Sequence, residues 1–165
     1  MNKKAILLIL IIFIVFGFII YLGNPQRKNI SLNKEVSAGF LSSLEKHFDF
    51  GTISMLKGKV EHSFVIKNEN NYPVTIGKIY TSCMCTEASL IKNGKEFGPF
   101  GMPGHGFIPS INETLNPGEE AQIKVVFDPA AHGPAGIGKN NRRVFIQNES
   151  GKNILNLDIS AYVTP

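Results

Sequence analysis

The chain has 165 residues, with 17 Lys and Arg against 13 Asp and Glu, two Cys and no Trp. Lys3, Lys4, Arg27 and Lys28 are the only charged side chains in the first 28 residues, so the remaining 137 are neutral, with 13 groups of each sign. A neutral remainder offers no basic face to a phosphate backbone and argues against a nucleic-acid partner, two Cys cannot make a disulfide framework, and nine Pro with 16 Gly exclude a long helix or coiled coil.

Ala5–Leu22 is an uncharged run of Ile, Leu and Phe interrupted by Gly17. At a rise of 1.5 Å per residue it reaches roughly 27 Å, about the thickness of a bilayer's hydrocarbon core. Lys3 and Lys4 before it keep the short N-terminus in the cytoplasm. The stretch exceeds the usual core of a cleaved signal peptide, and Tyr21-Leu22-Gly23-Asn24-Pro25 offers no small-x-small cleavage site. Residues 1–23 are therefore predicted to form a transmembrane helix acting as an uncleaved signal anchor, with a cleaved signal peptide as the alternative. Either way the rest of the chain is expected outside the cytoplasm, at the cell membrane, as the exported part of a single-pass protein.

Residues 24–46 mix Pro, Gln, Asn, Ser and Lys and read as a tether, with a weak helical period in Val36–Lys46. From residue 47 the period becomes two. His62, Phe64 and Ile66 share one face, as do Val74, Ile76 and Lys78, then Ile123, Val125 and Phe127, with Val144 and Ile146 further on. Leu155, Leu157, Ile159, Ala161 and Val163 oppose Asn156, Asp158, Ser160 and Tyr162 in the clearest run. Such alternation marks strands with one buried face. Turn clusters at Asn68–Pro73, Asn116–Glu119 and Asn148–Gly151 separate them. Six or seven short strands over residues 47–165 predict an all-β, immunoglobulin-like antiparallel sandwich. Asn93–Ser110 and Asp128–Asn141 are dense in Gly and Pro and read as long functional loops.

The order Phe48-Asp49-Phe50-Gly51-Thr52-Ile53, Phe64-Val65-Ile66-Lys67-Asn68, Ser82-Cys83-Met84-Cys85-Thr86, Leu115-Asn116-Pro117-Gly118-Glu119 and Ile123–Asp128 resembles the bacterial domain of unknown function 1573 family. The resemblance covers about Phe48–Val163 and implies a sandwich akin to ASH/Hydin domains, together with export. The family usually has Gly where this chain has Met84. No activity comes with the resemblance.

Cys83 and Cys85 stand two apart. On an extended strand their Cα atoms would lie roughly 6.5–7 Å apart, at the upper edge of what a disulfide accepts. Two thiolates sharing a metal suit that geometry better. The two Gly-rich loops add soft donors at Met102, His105 and His132. Thiolate, imidazole and thioether together favour copper. A structural or redox pair without metal is the competing reading of the cysteines, whereas His47 and His62 read as structural. No nucleophile elbow, phosphate loop or H-E-x-x-H pattern occurs in the sequence. Three functions follow as expectations: a non-catalytic scaffold engaging a protein partner, a copper-binding or copper-delivery protein using Cys83, Cys85, Met102, His105 and His132, and a thiol–disulfide protein using the cysteine pair alone.

Overall fold

The computed structural model describes Asn2 and residues 41–165, so the predicted transmembrane helix and the tether as far as residue 40 lie outside the described residues. Among the described residues, no helix is long and apolar enough to cross a membrane. Nine strands follow: β1 (His47–Ser54), β2 (Val60–Lys67), β3 (Val74–Thr81), β4 (Thr86–Lys92), β5 (Lys95–Phe100), β6 (Glu113–Leu115), β7 (Glu120–Phe127), β8 (Gly138–Asn148) and β9 (Asn153–Thr164). They form a five-stranded sheet in the order β1-β9-β8-β3-β6 and a four-stranded sheet in the order β2-β7-β4-β5. This is the expected immunoglobulin-like sandwich. Its helical content is two short 3-10 turns, Met55–Lys57 and Gly133–Gly136.

The alternating runs meet between the sheets. Phe64 and Ile66 of β2 and Ile123, Val125 and Phe127 of β7 belong to one cluster with Val144 and Ile146 of β8 and Leu155, Leu157, Ile159, Ala161 and Val163 of β9. Fully burying a Leu, Ile or Phe side chain contributes about 1.5–3 kcal/mol, so this inner layer is what holds two otherwise polar-faced sheets together.

Four details depart from the expected pattern. First, β1 pairs with β9 in parallel, so the sandwich is antiparallel everywhere except at that edge. Second, the described end of the Val36–Lys46 segment is not helical. Leu41 is buried in the core, Ser42 exchanges two backbone hydrogen bonds of 2.9 Å with Lys67, and the Ser43 hydroxyl donates to the Val65 carbonyl at 2.8 Å. The segment lies along β2 before the chain crosses to the other sheet as β1, within the same compact unit as the strands.

Third, the alternation in β3 slips. The pairing with β8 skips between Ile76 and Lys78, and Ile79 is buried where Lys78 was expected. Gly77 permits the slip, since a Cβ there would lie 2.6 Å from the Asn148 carbonyl oxygen. A bulge re-aims every side chain after it. Fourth, β5 falls inside the stretch read as loop. Gly98 and Pro99 hide it in the sequence, yet an edge strand tolerates Pro because one side of its backbone needs no partner.

Candidate metal centre

Strand β3 belongs to one sheet and β4 to the other, so the chain must cross between the layers in the four residues Ser82–Cys85. It does so by a β-turn in which the Thr86 N–H donates to the Cys83 carbonyl at 3.1 Å. The buried Thr81 hydroxyl lies 3.0 Å from the Cys83 carbonyl and 2.8 Å from that of Thr86, donating into the turn from below. The cysteines therefore occupy a turn, not the extended strand expected from their spacing. The turn directs the Cys85 amide at the Cys83 sulfur, 3.4 Å away, and leaves Met84 exposed at its tip. Both thiols are free.

The loop between β7 and β8 brings the third donor. Its first residue, Asp128, donates its N–H to the Cys85 carbonyl at 2.8 Å, which fastens the loop to the cysteine turn. The Asp128 carboxylate accepts from the Ala130 N–H at 2.9 Å and turns the chain back. His132 then caps the Gly133–Gly136 turn, where Gly136 is close enough that a Cβ would sit 3.3 Å from the His132 Cβ. The outcome is a His132 Nε2 lying 3.1 Å from Cys83 Sγ. The two sulfurs and a ring nitrogen of His132 all lie within 4.8 Å of one another. Cys85 is buried, Cys83 half-buried and His132 exposed, so the cluster opens to solvent on the histidine side.

Arg142 of β8 completes the surroundings. Its Nε donates to Cys85 Sγ at 3.0 Å, one terminal nitrogen donates to the Asn140 side-chain oxygen at 2.5 Å, and the other donates to the Asn141 carbonyl at 2.9 Å. Asn140 is itself buried and donates to the Gly136 and Gly138 carbonyls at 2.8 and 3.0 Å, so the guanidinium is held by the same loop that presents His132. Sequence reasoning missed Arg142, because a basic residue on an alternating strand reads as a solvated outer face.

The two thiols differ in acidity. Burial raises the Cys83 thiol, but hydrogen bonds from Cys85 and His132, the Cys85 amide and the Arg142 charge outweigh it and bring it down to about 7. Burial, reinforced by the hydrogen bond with Cys83, pushes the Cys85 thiol up against the opposing pull of Arg142. No helix N-terminus is involved. Fixed donors and a cation take over its usual role of favouring a thiolate.

Of the five soft donors expected to converge, Cys83, Cys85 and His132 do so, and His105 does not belong to that cluster. Gly101 accepts from the Thr81 N–H at 3.0 Å, so the β5–β6 loop starts beside the cysteine turn, and Met102 is half-buried there. The His105 N–H donates to the Met102 carbonyl at 3.2 Å, and its residue is exposed farther along the loop. The Gly-rich loop ends at Glu113 of β6, which pairs with Ile76 toward the start of β3, so it leads away from the thiols. His62 is packed on Phe48 with ring centroids 3.6 Å apart and lies 2.8 Å from Glu45, as a structural residue would.

Among solved structures, a protein of unknown function from Porphyromonas gingivalis is similar over 75% of this chain with a TM-score of 0.53 and 13% identity, and the chain spans 46% of its length. The ASH/PapD-like domain of human CEP192 matches over 77% of the chain and 87% of its own length, with a TM-score of 0.41 and 14% identity. The CooA pilin subunit of enterotoxigenic Escherichia coli matches over 76% and 98%, with a TM-score of 0.44 and 11% identity. No curated protein matches the sequence. The stretch from the buried Leu41 through the cysteine turn to Gly98 is the part with a sequence family: residues 41–98 match the family described as Protein of unknown function (DUF1573).

Proposed function

We propose that this is a binding domain whose ligand is a soft metal ion, copper(I), held by Cys83, Cys85 and His132. The observation that carries the reading is the gathering of two thiols and an imidazole within 4.8 Å at one open end of the sandwich. Thiolate and imidazole donors suit copper(I) and zinc alike. Three ligands exclude a closed structural zinc site, which takes four, but leave an open three-ligand one, so charge is what decides. Two thiolates around a monovalent ion leave one negative charge, which the Arg142 guanidinium on Cys85 balances. Around a divalent ion the thiolates leave none, and Arg142 would sit as an unmatched cation beside a cation. The uncharged run Ala5–Leu22 supports placing this domain outside the cytoplasm on a membrane anchor.

A second reading, thiol–disulfide exchange, is favoured by one observation: a Cys83 thiol brought down to about 7 beside a second thiol. The attacking thiolate would be Cys83 and the resolving thiol Cys85.

The two are separated by titrating the reduced protein with copper(I) against a chromophoric chelator. One equivalent is expected to be withheld from the chelator, with thiolate-to-copper absorption in the ultraviolet. The double variant Cys83→Ser, Cys85→Ser is expected to lose both signals. A parent protein that yields all its copper to the chelator yet turns over a low-molecular-weight disulfide would leave the second reading standing and remove the first.

A further inference from the structure

The three donors are not held alike. Cys85 is 2% exposed, accepts from Arg142 Nε at 3.0 Å, lies 3.6 Å from the Thr86 hydroxyl, and has its carbonyl bonded to Asp128. Cys83 shares its turn and is fixed by Thr81 and Thr86 through its carbonyl. His132 stands on a different loop, is exposed, and makes no side-chain bond to the 3-10 turn it caps. Among the described residues its ring has one polar partner, Cys83 Sγ at 3.1 Å. Met84, between the cysteines, is 48% exposed.

Copper(I) is stable with two thiolates alone and accepts a third donor without changing oxidation state. A site with two fixed sulfurs and one loosely held imidazole therefore has a built-in order of ligand exchange. Resting on the copper reading above, we infer that the site is a transfer site in which His132 is the replaceable ligand. An acceptor bearing soft donors, thiol or thioether, approaches from the side of the exposed His132. Its sulfur–copper bond forms as the His132 Nε2–copper bond breaks. As further acceptor sulfurs bind, the two cysteine sulfurs leave in turn, each taking up the proton that an acceptor thiol gives up, or one from solvent where the donor is a thioether, Cys85 last because its other contacts are buried. No electron moves, and the imidazole is released neutral to solvent. Met84 has a place in this order too, since an exposed thioether beside the outgoing ion offers it a transient partner.

The test loads the full-length reduced protein with one equivalent of copper(I) and mixes it rapidly with the chelator bathocuproine disulfonate. The transfer rate is expected to rise in proportion to chelator concentration, as displacement requires. His132→Ala is expected to speed transfer at least about tenfold and to weaken copper binding by a similar factor, since losing a ligand should cost no less than the roughly 10–100-fold lost on altering a ligand's outer partner. His132→Cys, which supplies a third thiolate, is expected to slow transfer by as much. His132 is exposed on a loop, so both variants should keep the fold, which far-ultraviolet circular dichroism checks. A rate independent of chelator concentration, or variants that transfer as the parent does, would overturn the inference while leaving the copper site intact. A parent protein that never withholds copper from the chelator would instead sink the reading on which it rests.

Discussion

The two ends of the sandwich each bury a polar cluster, and they solve opposite problems. At the end away from the cysteines, Asn68 is fully buried, yet every polar group it has is used. Its side-chain nitrogen donates to the Tyr72 and Leu115 carbonyls at 2.9 and 2.8 Å. Its side-chain oxygen accepts from the backbone and side chain of Asn70 at 3.0 and 2.8 Å. Its own N–H donates to the Glu119 carbonyl and its carbonyl accepts from Gly118. This neutral, closed network ties the β2–β3 turn to the β6–β7 turn and leaves nothing over for a ligand. At the other end, the Cys85 amide and Arg142 donate to two sulfurs that lie beside an exposed imidazole. A buried polar group in a finished network stabilises the fold, whereas convergent soft donors backed by a cation suit the ion proposed above.

The sharpest way to break that contrast is to truncate each cluster and read both stability and metal binding. Asn68→Ala removes four side-chain hydrogen bonds at once, among them the one to the buried Leu115 carbonyl, and a buried group left unsatisfied costs about 1–3 kcal/mol. We expect a loss of about 3 kcal/mol or more, seen as a lower urea midpoint at unchanged slope, with copper affinity unaltered. The cysteine double variant should do the reverse, losing the metal while its midpoint moves by about 1 kcal/mol or less. A large stability loss from the cysteines would make the turn a structural cluster like its counterpart.

A smaller effect separates the two thiols within the open cluster. Cys83 at about 7 lies below its ordinary value of 9.0, so at pH 7 roughly half of it is thiolate against about one in a hundred for an unshifted thiol. In the metal-free protein, iodoacetamide should therefore label Cys83 with a midpoint near pH 7, the rate falling as the pH drops through that value. Cys85, shifted in the opposite direction, should stay unlabelled until well above its ordinary range. Equal labelling of both residues across the titration, read by peptide mass spectrometry, would remove the asymmetry.

How much of this was legible beforehand follows from which interactions are local. The faces of β7 and β9 could be read because their alternation runs unbroken through β7 and from Leu155 to Thr164 in β9. The slip in β3 could not, since Gly77 fits against Asn148 of β8, some seventy residues later. Likewise β5 was masked by Gly98 and Pro99, whose tolerance depends on the strand being at an edge. At the site, the cysteines announced themselves by type and spacing, and His132 by standing in a loop with no other purpose. That His132 and not His105 meets the thiols depends on the Asp128–Cys85 backbone bond, which residue types do not encode.

Arg142 offers the finest test, because it is the residue that distinguishes a charged site from a merely polar one. Its guanidinium reaches Cys85 while its centre lies 6.0 Å from the Phe127 ring, so the side chain fills space as well as supplying charge. Arg142→Met keeps an unbranched stem and removes the cation, which isolates the electrostatic part. If the balance of one negative charge by one positive is what selects a monovalent ion, the variant should bind copper(I) about tenfold more weakly. Its zinc binding should stay level or strengthen, since a divalent ion no longer faces a neighbouring cation. Paired competition titrations with the two metals read this directly. A variant weakened equally toward both would assign Arg142 to packing alone, and the two ends of the sandwich would then differ in openness but not in charge design.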